Sequence, residues 1–203
     1  MCVLRETETE AAIRYAYTAP AIPGLRTEVV YTVDGSGCMK IDLHYFGQSG
    51  RPQMPFLGLR FATPVPVETV RWLGLSGETY PDRKKGGVFG WHREYPHIPA
   101  YLVPQECGCH MDTHAVSLDM PDGSALQLEM AEAPFSFSAL PYTPQQLEQA
   151  AHREELSAPV RTVVTVCGVM RGVGGIDSWG SDVEAAYRIS GEFDQTFSFL
   201  MRL

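Results

Sequence analysis

The chain alternates apolar and polar residues over much of its length. Met39, Ile41, Leu43 and Tyr45 are separated by Lys40, Asp42 and His44. Strict period two puts one set on a buried face and the other in water. Upstream, Val29-Val30-Tyr31-Thr32-Val33 is a β-branched and aromatic run, and Asp34-Gly35-Ser36-Gly37 supplies turn chemistry between the two. Run, turn and run predict a β-hairpin. The arrangement returns at Val116 to Met120, the turn Pro121-Asp122-Gly123, and the alternating Leu126, Leu128 and Met130. Arg161 to Met170 reads as a mostly buried strand. Val183 to Ile189 and Phe193 to Met201 read as a closing pair around Ser190-Gly191-Glu192. One short helix is predicted near residues 144–152. Thr143 suits the N-cap, Pro144 suits N1, and Gln146 completes a capping box. The pattern predicts an all-β class, a large antiparallel sandwich with that single helix.

Composition narrows the picture. A chain of 203 residues holds one large domain or two small ones, and no linker, low-complexity segment or repeat divides it. Hydrophobic residues at 44% and charged residues at 20% are globular proportions. No run approaches the roughly 18 apolar residues of a spanning helix, so no membrane partner is expected. The 16 Lys and Arg against 24 Asp and Glu leave a net charge of −8, which argues against a nucleic-acid partner. The one basic run, Arg83-Lys84-Lys85, reads as a solvated turn. Five cysteines, odd in number and irregular in spacing, do not make a disulfide framework and point to a reducing, cytoplasmic location. The first residues lack the charged and apolar regions of a secretory signal.

Two segments carry candidate chemistry. Cys107-Gly-Cys109-His110-Met-Asp112-Thr-His114 places four zinc-type side chains within eight residues. A single extended strand does not wrap four ligands around one ion, so no metal site is expected. The plainer expectation is a strand with His110, Asp112 and His114 on one face, its imidazoles bonded to Asp112 and sensitive to pH. Gly172-Val-Gly174-Gly175-Ile-Asp177-Ser178-Trp179-Gly180 lacks the GK[ST] and following helix of a phosphate loop. It reads as a glycine-rich loop presenting one tryptophan, whose broad face and single N–H suit a sugar ring at an open site. Trp72 reads as core. Asp82 and Arg83 are expected either to pair with each other or to line a cleft, and Glu106 offers a carboxylate.

In order along the chain, five motifs resemble the C-terminal domain, or separate small chain, of lactose-operon-type bacterial β-galactosidases. They are the Tyr31 to Gly37 hairpin, Arg71-Trp72-Leu73-Gly74 with Glu78-Thr-Tyr80-Pro81-Asp82-Arg83, and Pro104-Gln105-Glu106-x-Gly108. The fourth is Phe135-Ser-Phe137-Ser138 with Tyr142, Leu147 and His152, and the fifth Gly174-Gly175-x-Asp177-Ser178-Trp179. The resemblance covers about residues 28 to 200 and implies a galactose-mutarotase-like supersandwich. It implies that Trp179, with Ser178 and Asp177 beside it, borders the substrate at the active-site mouth. It implies that Asp82, Arg83, Glu106, His110, Asp112 and His114 are cleft-lining candidates. It implies no catalytic residue and no cofactor in this chain, because the catalytic glutamates and the Mg and Na ions belong to a separate barrel domain or large chain. This chain departs from the family at His110 and His114, where arginines are usual, and at Ile176, where an acid is usual. Residues 1–27 are expected to be an extension or remnant strand ahead of a domain at 28–203, leaving a sheet edge open to self-association.

Three readings follow. The first is a non-catalytic sugar-binding part of a β-galactosidase, acting on lactose-like galactosides only with its partner. The second is a stand-alone mutarotase or epimerase using His97, His110, Glu106 or Asp112 as acid and base. The third is a purely structural assembly module.

Overall fold

The computed structural model describes residues 1–99 and 107–203. The strands are β1 (Cys2–Glu6), β2 (Glu10–Ala19), β3 (Ile22–Asp34), β4 (Met39–Tyr45), β5 (Phe56–Ala62), β6 (Thr69–Leu75), β7 (Phe89–Glu94), β8 (His110–Thr113), β9 (Ala115–Asp119), β10 (Ala125–Met130), β11 (Phe135–Leu140), β12 (Val163–Met170) and β13 (Gln195–Arg202). Nine of them form one antiparallel sheet in the order β1-β2-β3-β4-β13-β10-β9-β6-β7. The other four form a smaller sheet, β5-β12-β11-β8.

The core fills the space between the sheets. Ile41 and Leu43 of β4, Trp72 of β6, Leu128 of β10 and Phe199 of β13 face Phe135, Phe137, Val164 and Val166 of the small sheet. The residues facing out from β4 are the polar set that alternates with these, as period two requires. β11 is buried along its whole length, so its sequence reads as a continuous apolar and small-residue run.

Both predicted hairpins form. Val33 lies opposite Met39, and Asp34 Oδ1 accepts the N–H groups of Ser36 and Cys38 at 2.8 and 3.1 Å. Asp119 lies opposite Ala125, and Asp122 Oδ1 accepts the Ser124 N–H at 2.9 Å. These Asx turns satisfy donors that a tight loop leaves unpaired. The helix α1 (Pro144–Gln149) starts where its signals lie. Thr143 Oγ1 accepts the Gln146 N–H at 3.2 Å, while Gln146 Oε1 accepts the Thr143 N–H at 2.9 Å. It stops at Gln149, short of residue 152, because Ala150 is already extended. Leu147 pins the helix into a second small cluster with Leu140, Tyr142 and Cys107.

Two expectations fail. Val183 to Ile189 is not a strand. It holds a 3-10 turn at Ala185–Tyr187, and Ile189 makes only an isolated bridge to Met54, just ahead of β5. Its Glu-Ala-Ala sequence has no apolar alternation, and β13 pairs with β4 and β10 instead. Residues 1–27 hold β1, β2 and the first part of β3, so the boundary expected at residue 28 falls inside one continuous strand. Period-two spacing of Ile13, Tyr15 and Tyr17 was the available signal. The outer edge, β1, shifts register between Val3 and Arg5, and Arg5 pairs with Glu10. Such irregularity and charge blunt an edge.

Candidate functional site

Three chain segments meet around the connection from β6 to β7. This arm, residues 76–88, is stitched to the segment entering β8. Gly108 N–H donates to Glu78 Oε1 at 2.8 Å, and the Tyr80 hydroxyl donates to the same carboxylate. Thr79 N–H donates to the Cys109 carbonyl at 2.7 Å, and Met111 N–H donates to Thr79 Oγ1 at 2.9 Å. His110 Nδ1 sits 2.7 Å from the Gly77 carbonyl.

At the far end of the arm, Asp82 and Arg83 reach the glycine segment that follows β12. Asp82 Oδ1 accepts the Val173 N–H at 3.0 Å and Oδ2 accepts the Gly174 N–H at 2.8 Å. The Arg83 guanidinium donates to the Gly174 carbonyl. The two side chains therefore grip the loop and do not form the mutual ion pair expected as one alternative. Burial pushes the Asp82 carboxyl up, but the two N–H groups and the Arg83 charge outweigh it and hold the group below the usual range. The Arg83-Lys84-Lys85 run is more than a solvated turn, since Lys84 Nζ also pairs with Asp112 at 2.9 Å.

The loop is closed at its base. Arg171 N–H donates to the Pro55 carbonyl at 2.7 Å and Gly172 N–H to the Tyr187 carbonyl at 2.9 Å. Asp182 pairs with Arg171 and, at 3.4 Å, with Arg188, and Val183 is buried. A closed base with an exposed tip is the organisation of an Ω-loop. At the tip, Asp177 Oδ1 accepts the N–H groups of Trp179 and Ser181 at 2.9 and 3.2 Å, and the Ser181 hydroxyl donates to Oδ2. That hydroxyl and those N–H groups hold the Asp177 carboxyl below its ordinary value. Asp177 thus shapes the turn. Ser178 is exposed beside it, and Trp179 is 92% exposed, in contrast to Trp72 at 2%. Below the loop, Phe56, Tyr80, Met170 and Val173 help line a groove of about 360 Å³.

The histidine strand is not as expected. Asp112 has φ +50°, which breaks the alternation, and the chain passes from β8 in the small sheet to β9 in the large one. His110 turns inward between Trp72 and Phe137, with Nε2 3.0 Å from Glu94 Oε1. His114 meets the edge of Phe89, at 5.1 Å between centroids. Neither imidazole bonds Asp112, whose carboxylate faces Lys84. Cys107 joins the α1 cluster and Cys109 Sγ lies 3.6 Å from Met170 Sδ. Among the described residues, no three His, Cys, Asp or Glu side chains gather as a metal site. Of the other residues named for acid–base work, His97 Nδ1 lies 2.9 Å from its neighbour carbonyl on Tyr95, and Glu106 is outside the described residues.

Sequence reasoning missed an aromatic row on β7. Phe89, Trp91 and, just beyond the strand, Tyr95 are 51%, 67% and 67% exposed. Their period-two spacing against Gly90, His92 and Glu94 carried the signal. Exposed apolar rows of this kind mark interaction surfaces.

The family model described as "Beta galactosidase small chain" matches residues 3–201. The Latilactobacillus sakei protein named "Beta-galactosidase small subunit" is 46% identical over 207 residues, covering 96% of this chain and 65% of that relative. The Streptococcus thermophilus "Beta-galactosidase" is 30% identical over 193 residues, covering 93% of this chain but only 19% of that relative. Among solved structures, a putative aldose 1-epimerase from Escherichia coli K12 matches with a TM-score of 0.51 at 12% identity, over 98% of this chain and 67% of the other. At that identity the likeness concerns the fold, an antiparallel mutarotase-like sandwich.

Proposed function

We propose that this chain, which belongs to the β-galactosidase small-chain family, is a non-catalytic part of a β-galactosidase that offers Trp179 to the substrate. Hydrolysis of a glycoside takes two carboxylates flanking the bond. The carboxylates at the loop, Asp82 on the arm and Asp177 and Asp182 within the loop, engage both their oxygens with protein donors. In this reading the acid and the nucleophile, with the Mg and Na ions, sit on a large catalytic chain. The single observation that carries the reading is Trp179, held out at 92% exposure on a loop whose base is fixed. An indole face so placed suits the C–H face of the leaving-group sugar and holds it in line for attack. The exposed row of Phe89, Trp91 and Tyr95 supports a chain that works against a protein partner.

Complementation tests this. The purified chain is expected to leave o-nitrophenyl β-galactoside intact, and activity is expected when the large chain is mixed with it. Turnover by the purified chain alone overturns the reading, as does a large chain whose lactose hydrolysis is the same with and without it.

A further inference from the structure

We propose that Asp82 and Arg83 are positioning residues for Trp179, a two-residue latch that fixes the loop from outside it; the role rests on the reading of Trp179 above. The segment from Gly172 to Gly175 is intrinsically loose. Gly174 and Gly175 have φ of +72° and +69°, and such glycines lose much backbone freedom when fixed. Something has to supply that order, and the loop's own tip does not. Asp177 organises residues 179–181, and Asp182 takes the Val183 N–H and ties the return to Arg171 and Arg188. The outgoing limb is held by the arm. Asp82 takes the N–H groups of Val173 and Gly174 on its two oxygens, and Arg83 takes the carbonyl of the same Gly174. Donor and acceptor of one residue are thus gripped by consecutive side chains. The fit is close, since a Cβ on Gly172 would lie 2.8 Å from Asp82 Cγ. The arm is itself pinned by Glu78, Thr79 and Gly77 to residues 108–111. The orientation of Trp179 is therefore transmitted from the sandwich body through residues 77–83.

Two measurements test the latch. In the chain alone, Asp82→Ala is expected to speed hydrogen exchange at the Val173 and Gly174 amides by about tenfold, the order for losing one charge-assisted bond. Amides of β12 are expected to keep their protection, and Asp82→Asn, which retains one acceptor, is expected to fall between. In the reconstituted enzyme, Asp82→Ala and Arg83→Ala are expected to raise KM for lactose, with Arg83→Lys partly restoring it. The double variant Asp82→Ala/Trp179→Ala is expected to be no worse than Trp179→Ala alone, because the latch acts through that ring. Unchanged exchange at residues 173 and 174 in Asp82→Asn and Asp82→Ala overturns the latch. So does a double variant whose KM effect is the sum of the two. If Trp179→Ala alone leaves KM unchanged, the sugar-binding reading fails, and the exchange arm still decides whether Asp82 holds the loop.

Discussion

At the scale of single residues, charge placement explains more of the site than residue type does. The sequence marks Asp82, Arg83 and Asp177 as candidates. It does not reveal that their partners are backbone groups, because main-chain donors leave no trace in composition. Asp82 shows the consequence. Its carboxyl is held below the ordinary value, so its contribution is intact above the unfolded value of about 4 and fades as pH falls through the lower native one. Exchange protection at Val173 and Gly174 is thus expected to be flat from neutral pH down to about pH 4 and to fall below it, in Asp82 but not in Asp82→Ala. Hydrogen exchange across that range checks it, and protection that declines already between pH 7 and 5 contradicts it. His110 is the opposite case. The sequence makes it a cleft-lining candidate, yet it is 4% exposed, wedged against Trp72 and Phe137.

At the scale of elements, the hairpins and the helix start were legible because each rests on local chemistry. Asp34 and Asp122 make Asx turns, and Thr143 with Gln146 makes a capping box. The β8–β9 switch was not legible. An unbroken pattern through His110, Asp112 and His114 suggests one strand, but Asp112 turns through a positive φ and sends the chain into the other sheet. Asp is one of the few residues that adopt this conformation without large strain. Asp112→Val is therefore expected to destabilise the fold by about 1–2 kcal/mol, whereas Asp112→Gly is expected to stay near the parent despite losing the partly exposed Lys84 pair. Urea denaturation of the two variants measures it. Equal destabilisation by valine and glycine would show that the Lys84 contact, not the backbone, matters there.

At the scale of the whole molecule, the sandwich class followed from alternation, while the sheet order did not. Residues 1–27 extend the large sheet, and its middle is joined by pairings distant in sequence, such as β4 with β13. No local pattern encodes such register. The same distance assembles the candidate site, since residues 77–83, 108–111 and 172–182 come together only when both sheets have formed. What results is a body that projects Trp179 on a loop and a row of rings from β7, and in the proposed reading the bond-breaking carboxylates belong to another polypeptide. The most direct test is the lactose KM of the reconstituted enzyme with Trp179→Ala and Trp179→Tyr. Loss of one aromatic contact, about 1 kcal/mol, predicts a KM raised roughly fivefold in the alanine variant and close to the parent in the tyrosine variant. A KM for lactose that is the same with alanine as with tryptophan contradicts the account.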